Sequence, residues 1–162
     1  MRRSVALIGF MGAGKSTVGP LVARGRGVPF LDLDALISEQ SGQPIGATFS
    51  SWGETRFRAV EADLLETIGQ GEACVVATGG GAPVTPAGRH ALERFDTLWL
   101  DVSFERASER VDGTDRPLWN DDVRRLYDAR RDTYAAVANR RVDADGPVAA
   151  VVAACLEGPV DV

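Results

Sequence analysis

The sequence predicts a three-layer α/β protein, a parallel sheet with helices on both faces, on three observations. Short apolar runs of strand length alternate with helix-period patterns along all 162 residues, as expected when each parallel strand needs a crossover helix. The first run, Ser4-Val5-Ala6-Leu7-Ile8, passes directly into a glycine-rich segment and then a helical pattern. The second, Phe30-Leu31-Asp32-Leu33-Asp34, closes on two acids, at the strand end where open α/β sheets place their ligands.

The elements follow in order. Strands are expected near 4–9 and 29–32, with a helix from 15 between them, and helical segments near 34–41, 45–50 and 53–68. Cys74-Val75-Val76-Ala77 reads as a strand running into Gly79, Gly80 and Gly81. Thr85-Pro86 caps a helix to about Arg94, with proline at its favoured first position. Thr97-Leu98-Trp99-Leu100-Asp101 is a strand, and Ser103 caps a helix to about Arg110. Asn120-Asp121 starts a longer helix to about Ala138, before a short Arg141-Val142-Asp143 strand and a last helix near 147–156. The polar stretch 111–115 has no periodicity and lies between two arginine-rich helices; it reads as part of a mobile lid over about 110–121. The whole chain, 1–162, reads as one domain, a size at which a sheet can be covered on both sides.

The glycine-rich segment carries the most specific signal. Gly9-Phe10-Met11-Gly12-Ala13-Gly14-Lys15-Ser16-Thr17 matches G-x-x-x-x-G-K-[ST], whose backbone N–H groups wrap a β-phosphate. Lys15 is the only lysine; the other seventeen basic residues are arginine. A compact ammonium can enter between phosphate oxygens where a planar fork cannot, so this one position resisted the substitution. The chain is expected to bind a nucleoside triphosphate on Gly12, Ala13, Gly14, Lys15, Ser16 and Thr17.

Composition narrows the remaining classes. A net charge of −5 argues against a general nucleic-acid binder. Hydrophobic content of 44% is ordinary for a soluble globular protein, and no stretch is long enough to span a membrane. The basic, then apolar start resembles a signal peptide but ends directly in the phosphate loop, so a cytoplasmic protein is expected. Cys74 and Cys155 both lie in apolar runs and read as reduced core residues.

Phosphoryl transfer needs a magnesium ligand, an acceptor-binding group and positive charge over the transferring group. The hydroxyl of Ser16, directly after the lysine, is placed to coordinate Mg²⁺. Asp32 and Asp34 can face the phosphates and the acceptor, although Asp34 also fits a plain helix N-cap. Arg58 and Glu61 are three apart on one helical face, a spacing equally suited to a surface ion pair. Three consecutive glycines after a strand let the backbone approach a ligand closely. Arg110, Arg116, Arg130 and Arg131 lie in or beside the lid and the helix after it, and a solvated charged face would account for their spacing. Arg116-Pro117-Leu118 nevertheless fixes one arginine on a stiff turn, and Arg130 and Tyr134 share a helical face. His90 reads as a surface residue, Trp52 and Trp99 as packing residues.

Together these residues resemble shikimate kinase, in the nucleoside-monophosphate-kinase-like group of P-loop proteins. The matches are the phosphate loop with Gly19, Asp32 and Asp34, Phe49 with Gly53-Glu54 and Phe57-Arg58 through Glu61, the three glycines, Arg116-Pro117-Leu118, and Arg130 four before Tyr134 with Ala138 beyond. The resemblance implies a five-stranded sheet of order 2-3-1-4-5, a monomer, and transfer of the ATP γ-phosphoryl group to the 3-hydroxyl of shikimate in aromatic amino acid (chorismate) biosynthesis. It implies Ser16 on Mg²⁺ with Asp32 reaching the metal through water, and Asp34 on ring hydroxyls as the acceptor of the 3-hydroxyl proton. Arg58 and Arg130 would clamp the shikimate carboxylate, Gly79, Gly80 and Gly81 would contact the ring, Arg116 would close over the phosphates, and Arg110 would pack near adenine.

Leu33 stands where a small polar residue is usual in that family, Trp119 where an aliphatic one is common. Asp132 takes the place of a usual proline, which leaves Arg131 open as an alternative to Arg130. Pro20, Gly25 and Arg26 all fall in the helix after the phosphate loop, where proline costs about 3 kcal/mol and glycine about 1 relative to alanine; a local weak point is expected. Two other functions fit parts of the pattern. A gluconate-type sugar-acid kinase shares the phosphate loop and an anionic acceptor, and a silent nucleotide-binding regulatory module would need no acceptor site.

Overall fold

The computed structural model describes residues 2–111 and 120–158. Its five strands, β1 (Val5–Ile8), β2 (Phe30–Asp32), β3 (Val75–Ala77), β4 (Asp96–Asp101) and β5 (Arg140–Asp143), form one sheet of order β2-β3-β1-β4-β5. Every neighbouring pair is parallel, with Val5 opposite both Val75 and Asp96, and Leu98 opposite Arg140. The helices are α1 (Lys15–Arg26), α2 (Leu33–Ser41), α3 (Ile45–Trp52), α4 (Glu54–Gln70), α5 (Pro86–Leu92), α6 (Phe104–Val111), α7 (Asp121–Val137) and α8 (Val148–Leu156), with a 3-10 turn at Ala82–Val84. The expected strand order and alternation are those observed; the 3-10 turn is an addition the sequence pattern did not announce.

The period of two along the strands divides the core. Val5 and Leu7 of β1, with Leu98 and Leu100 of β4, meet Val18 and Val22 of α1 and Val151 and Cys155 of α8. Ala6, Ile8 and Trp99 face the opposite layer, where Leu33, Phe57, Leu65, Leu92, Tyr127 and Tyr134 pack. Helices therefore cover both sides, and the strands' carboxyl ends open together on one edge. Among the described residues no helix is long and apolar enough to cross a membrane.

Local chemistry sets the boundaries that matter for the site. Asn120 accepts from the Val123 N–H at 3.1 Å and starts α7, and Thr85 accepts from the Gly88 N–H at 3.1 Å and starts α5 with Pro86 behind it. At the start of α2, Asp32 is the N-cap, its Oδ1 accepting from the Ala35 N–H at 3.1 Å, so the alternative reading of Asp34 as a plain cap fails. Asp34 thereby falls in the first helical turn instead of closing the strand.

Helix α1 contains Pro20, Gly25 and Arg26 as expected, and two of these have a structural reason. A Cβ on Gly25 would lie 2.8 Å from Leu156 Cδ1, so the glycine lets α8 settle on α1. Arg26 ends the helix and donates to the Arg3 carbonyl at 3.2 Å, while its own carbonyl accepts from Arg2 at 3.0 Å, so it ties down the N-terminal segment instead of entering the core. Pro20 is exposed and has no such contact to explain it.

Candidate active site

The turn from β1 into α1 is the centre of the site. Gly12 (φ 80°) and Gly14 (φ 92°) take left-handed conformations, and a Cβ on Gly12 would lie 2.8 Å from the Ala107 carbonyl oxygen. Helix α1 begins at Lys15 with no side-chain cap and no acid in its first turn, an arrangement that leaves its positive end to an anion. Lys15 is held over the loop, its Nζ donating to the carbonyls of Gly9 at 2.5 Å and Phe10 at 3.2 Å.

A cleft of ≈ 680 Å³ runs along this loop. All six expected nucleotide residues of the loop, 12–17, line it, as do Asp32, Asp34, Gly79, Gly80 and Arg110. Ser16 Oγ donates to Asp32 Oδ2 at 3.0 Å, bringing a hydroxyl and a carboxylate together at the mouth of the loop. Arg110 holds the loop from outside: Nη1 donates to Gly12 O at 3.1 Å and Nη2 to Ala144 O at 2.8 Å. Arg116 lies outside the described residues, as does most of the expected lid.

The glycine run after β3 gathers the rest. The position a Cβ would take on Gly79 is 3.0 Å from both Asp34 Oδ1 and Glu61 Oε2, so glycine lets the two carboxylates close against this backbone without crowding. Gly80 accepts from Arg130 Nη1 at 2.8 Å and from the Tyr134 hydroxyl at 2.6 Å. Arg58, from α4, meets the same run at Gly81 and donates to Glu61 Oε1 at 2.8 Å. The surface-pair reading of Arg58 and Glu61 fails, because their side chains are 12% and 1% exposed. Arg131, the alternative to Arg130, turns away to Asp101 at the end of β4.

Burial shapes the electrostatics. Desolvation raises the Glu61 carboxyl above its ordinary range against the opposing pull of Arg58. Burial pushes the Tyr134 hydroxyl up to about 12, more than Arg130 can offset, so it remains a hydrogen-bond donor at neutral pH. Glu61 Oε2 and Arg58 Nε are buried without a hydrogen-bond partner, an unmet capacity that a polar ligand beside the glycines could meet.

Other residues lining the cleft escaped the sequence reading. Thr78 lines it beside the glycines while its hydroxyl donates to Leu7 O at 3.1 Å. Ala144 and Gly146, in the β5–α8 turn, close the end near Arg110. The run Asp143-Ala144-Asp145-Gly146 after a strand is a turn signal, but nothing in it distinguishes a ligand-facing turn from any other. His90 is exposed beside Glu93, and Trp99 is buried, both as expected.

Comparison with known proteins gives the family. The family model described as shikimate kinase matches residues 11–158. A shikimate kinase of Salinibacter ruber (strain DSM 13855 / M31) is 42% identical over 169 residues, covering 94% of this chain and 82% of that protein. The solved structure of a shikimate kinase from Acinetobacter baumannii in complex with shikimate has a TM-score of 0.84 at 31% identity, covering 94% of this chain and 88% of that one. A gluconokinase from Sinorhizobium meliloti 1021 has a TM-score of 0.64 at 22% identity, over 96% of this chain and 91% of its own, a likeness of fold alone. With the family model spanning most of its length and a relative this similar over nearly all of it, the chain belongs to the shikimate kinase family.

Proposed function

We propose that this ATP-dependent kinase transfers the γ-phosphoryl group of ATP to the 3-hydroxyl of shikimate, giving shikimate 3-phosphate and ADP. The observation that carries the reading is the convergence of Asp34, Arg58 and Arg130 on one glycine run beside the phosphate loop. A nucleotide-binding module with no acceptor would have no use for that convergence. A gluconate-type kinase would need an anion site but not the Phe57-Arg58 and triple-glycine combination.

The phosphate loop and the start of α1 hold the β-phosphate, and Lys15 exchanges its carbonyl partners for phosphate oxygens. The donor set fits Mg²⁺: a hydroxyl and a carboxylate, both hard oxygen ligands, with no cluster of three or more protein ligands among the described residues. Asp32 Oδ1 is committed to the Ala35 N–H and Oδ2 to Ser16, which favours contact with the ion through water. When bound, the ion neutralises charge on the phosphate oxygens.

Asp34 holds the acceptor's ring hydroxyls and takes the proton of the 3-hydroxyl as its oxygen attacks the γ-phosphorus. The bond from that phosphorus to the β–γ bridging oxygen breaks, and ADP leaves. Arg58 and Arg130 bind the shikimate carboxylate by charge-assisted hydrogen bonds. Gly79, Gly80 and Gly81 admit the ring, Arg116 closes over the phosphates, and Arg110 lies toward adenine. The working form is read as a cytoplasmic monomer acting in chorismate biosynthesis, on the family's general character.

ADP release by the purified protein, with Mg²⁺ and ATP, tests the reading when shikimate, gluconate or no acceptor is supplied. Turnover should depend on shikimate. Equal ADP release with and without it would refute the assignment. In Arg58→Ala and Arg130→Ala the shikimate KM should rise by the equivalent of about 2–5 kcal/mol while the ATP KM moves much less.

A further inference from the structure

Arg131 follows Arg130 on α7, yet the two guanidinium groups end in different places. Arg131 forks onto the Asp101 carboxylate at the end of β4, Nη1 to Oδ1 and Nη2 to Oδ2 (3.3 Å). It also donates to the Tyr127 hydroxyl at 3.0 Å and lies 5.0 Å from the Trp99 ring centroid. Tyr127 in turn donates to the Val102 carbonyl at 2.6 Å. These contacts fasten one side of α7 to the end of β4, while Arg130 and Tyr134 fasten another to Gly80. Trp99 links the two, its ring 6.0 Å from that of Tyr134.

Successive helical residues point about 100° apart, so the two arginines restrain rotation of α7 from two directions. With an outer radius of about 5–6 Å, a turn of roughly 10° would displace a side-chain tip by about 1 Å. A displacement of that size is enough to spoil a charge-assisted contact with a bound substrate. We propose that Asp101 and Arg131 are positioning residues: their ion pair sets the rotation of α7 and so holds Arg130 where it meets the acceptor's carboxylate. The proposal rests on the reading of Arg130 as a carboxylate ligand.

The structure offers a clean variant. Asp101 also receives Arg141, so removing Arg131 does not leave a buried carboxylate unpaired. In the full-length protein, Arg131→Met should raise the shikimate KM about three- to tenfold and leave the ATP KM within about twofold. Arg131→Lys, which restores a charge opposite Asp101, should recover part of the loss. Arg130→Ala should cost more than Arg131→Met, and the double variant should be no worse than Arg130→Ala alone, because Arg131 acts through Arg130. Should Arg131→Met not fold, Asp101→Glu keeps the pair but shifts it by one methylene, and it should raise the shikimate KM alone.

An unchanged shikimate KM in these variants, with Arg130→Ala impaired, overturns the proposal while leaving the carboxylate clamp standing. Parallel rises in both KM values, or losses that multiply in the double variant, overturn it as well. A silent Arg130→Ala removes the clamp itself, and the positioning role falls with it.

Discussion

The Arg58 guanidinium fills the space that a side chain at Gly81 would need: a Cβ there would lie 2.2 Å from Arg58 Nη2. Arg58 has little room to yield, being 12% exposed and tied to Glu61. Gly81→Ala should therefore displace the guanidinium and raise the shikimate KM by roughly 10- to 100-fold, with little change for ATP. Steady-state kinetics with each substrate varied in turn decides this, and equal sensitivity of both substrates would contradict it.

Lys15→Arg should lower kcat by more than about tenfold, a barrier rise above about 1.4 kcal/mol, with the circular dichroism spectrum unchanged. The ammonium reaches two loop carbonyls at 2.5 and 3.2 Å, a tight setting for the wider guanidinium. Retention of most of the wild-type rate would show that a fork can serve there.

Glu61 should leave a signature in stability against pH. Burial raises its pKa above the ordinary 4.5. Below 4.5 the carboxyl is protonated in both folded and unfolded chains, and burial costs nothing through ionisation. As pH climbs through the raised value, the unfolded chain ionises freely while the folded one must ionise a buried group, so stability is lost. Urea unfolding at stepped pH should show the wild type losing stability relative to Glu61→Gln across that window and no further change above it. A difference that grows in favour of the wild type as pH rises would reverse the sign.

Pro20 is the remaining weak position of α1. It is exposed and cannot donate to the carbonyl four residues back. Pro20→Ala should raise Tm by roughly 2–4 °C for each kcal/mol recovered. Gly25→Ala should not help, since its Cβ would meet Leu156. A scanning-calorimetry comparison of the two separates helix propensity from packing, and a fall in Tm for Pro20→Ala would mean that the proline suits a bend in α1.

Most of the fold was legible because it depends on local periodicity. Val5 and Leu7 against Ala6 and Ile8 already announce a strand buried on both faces, and Thr85-Pro86 announces a helix start. The phosphate loop was equally plain, since its chemistry is contiguous in sequence. What spacing could not decide was direction. Arg58 with Glu61 looks the same on paper whether it faces water or the glycine run, and Arg130 and Arg131 differ only in which way a rotated helix turns them. Spacing also left the cap of α2 open, because Asp32 and Asp34 are chemically equivalent candidates; the hydrogen bond to Ala35 discriminates between them.

The balance of charge around Gly79, Gly80 and Gly81 bears on how the cycle ends. Two carboxylates, Asp34 and Glu61, face two guanidinium groups, Arg58 and Arg130, near enough that all three neighbours act on the ionisation of Glu61. With both acids ionised, the formal charges of these four groups cancel. A monoanionic acceptor brings one negative charge to it; the phosphorylated product carries up to two more beside Asp34. On the proposed assignment, the arrangement that accepts the substrate is thus biased to release its phosphorylated product.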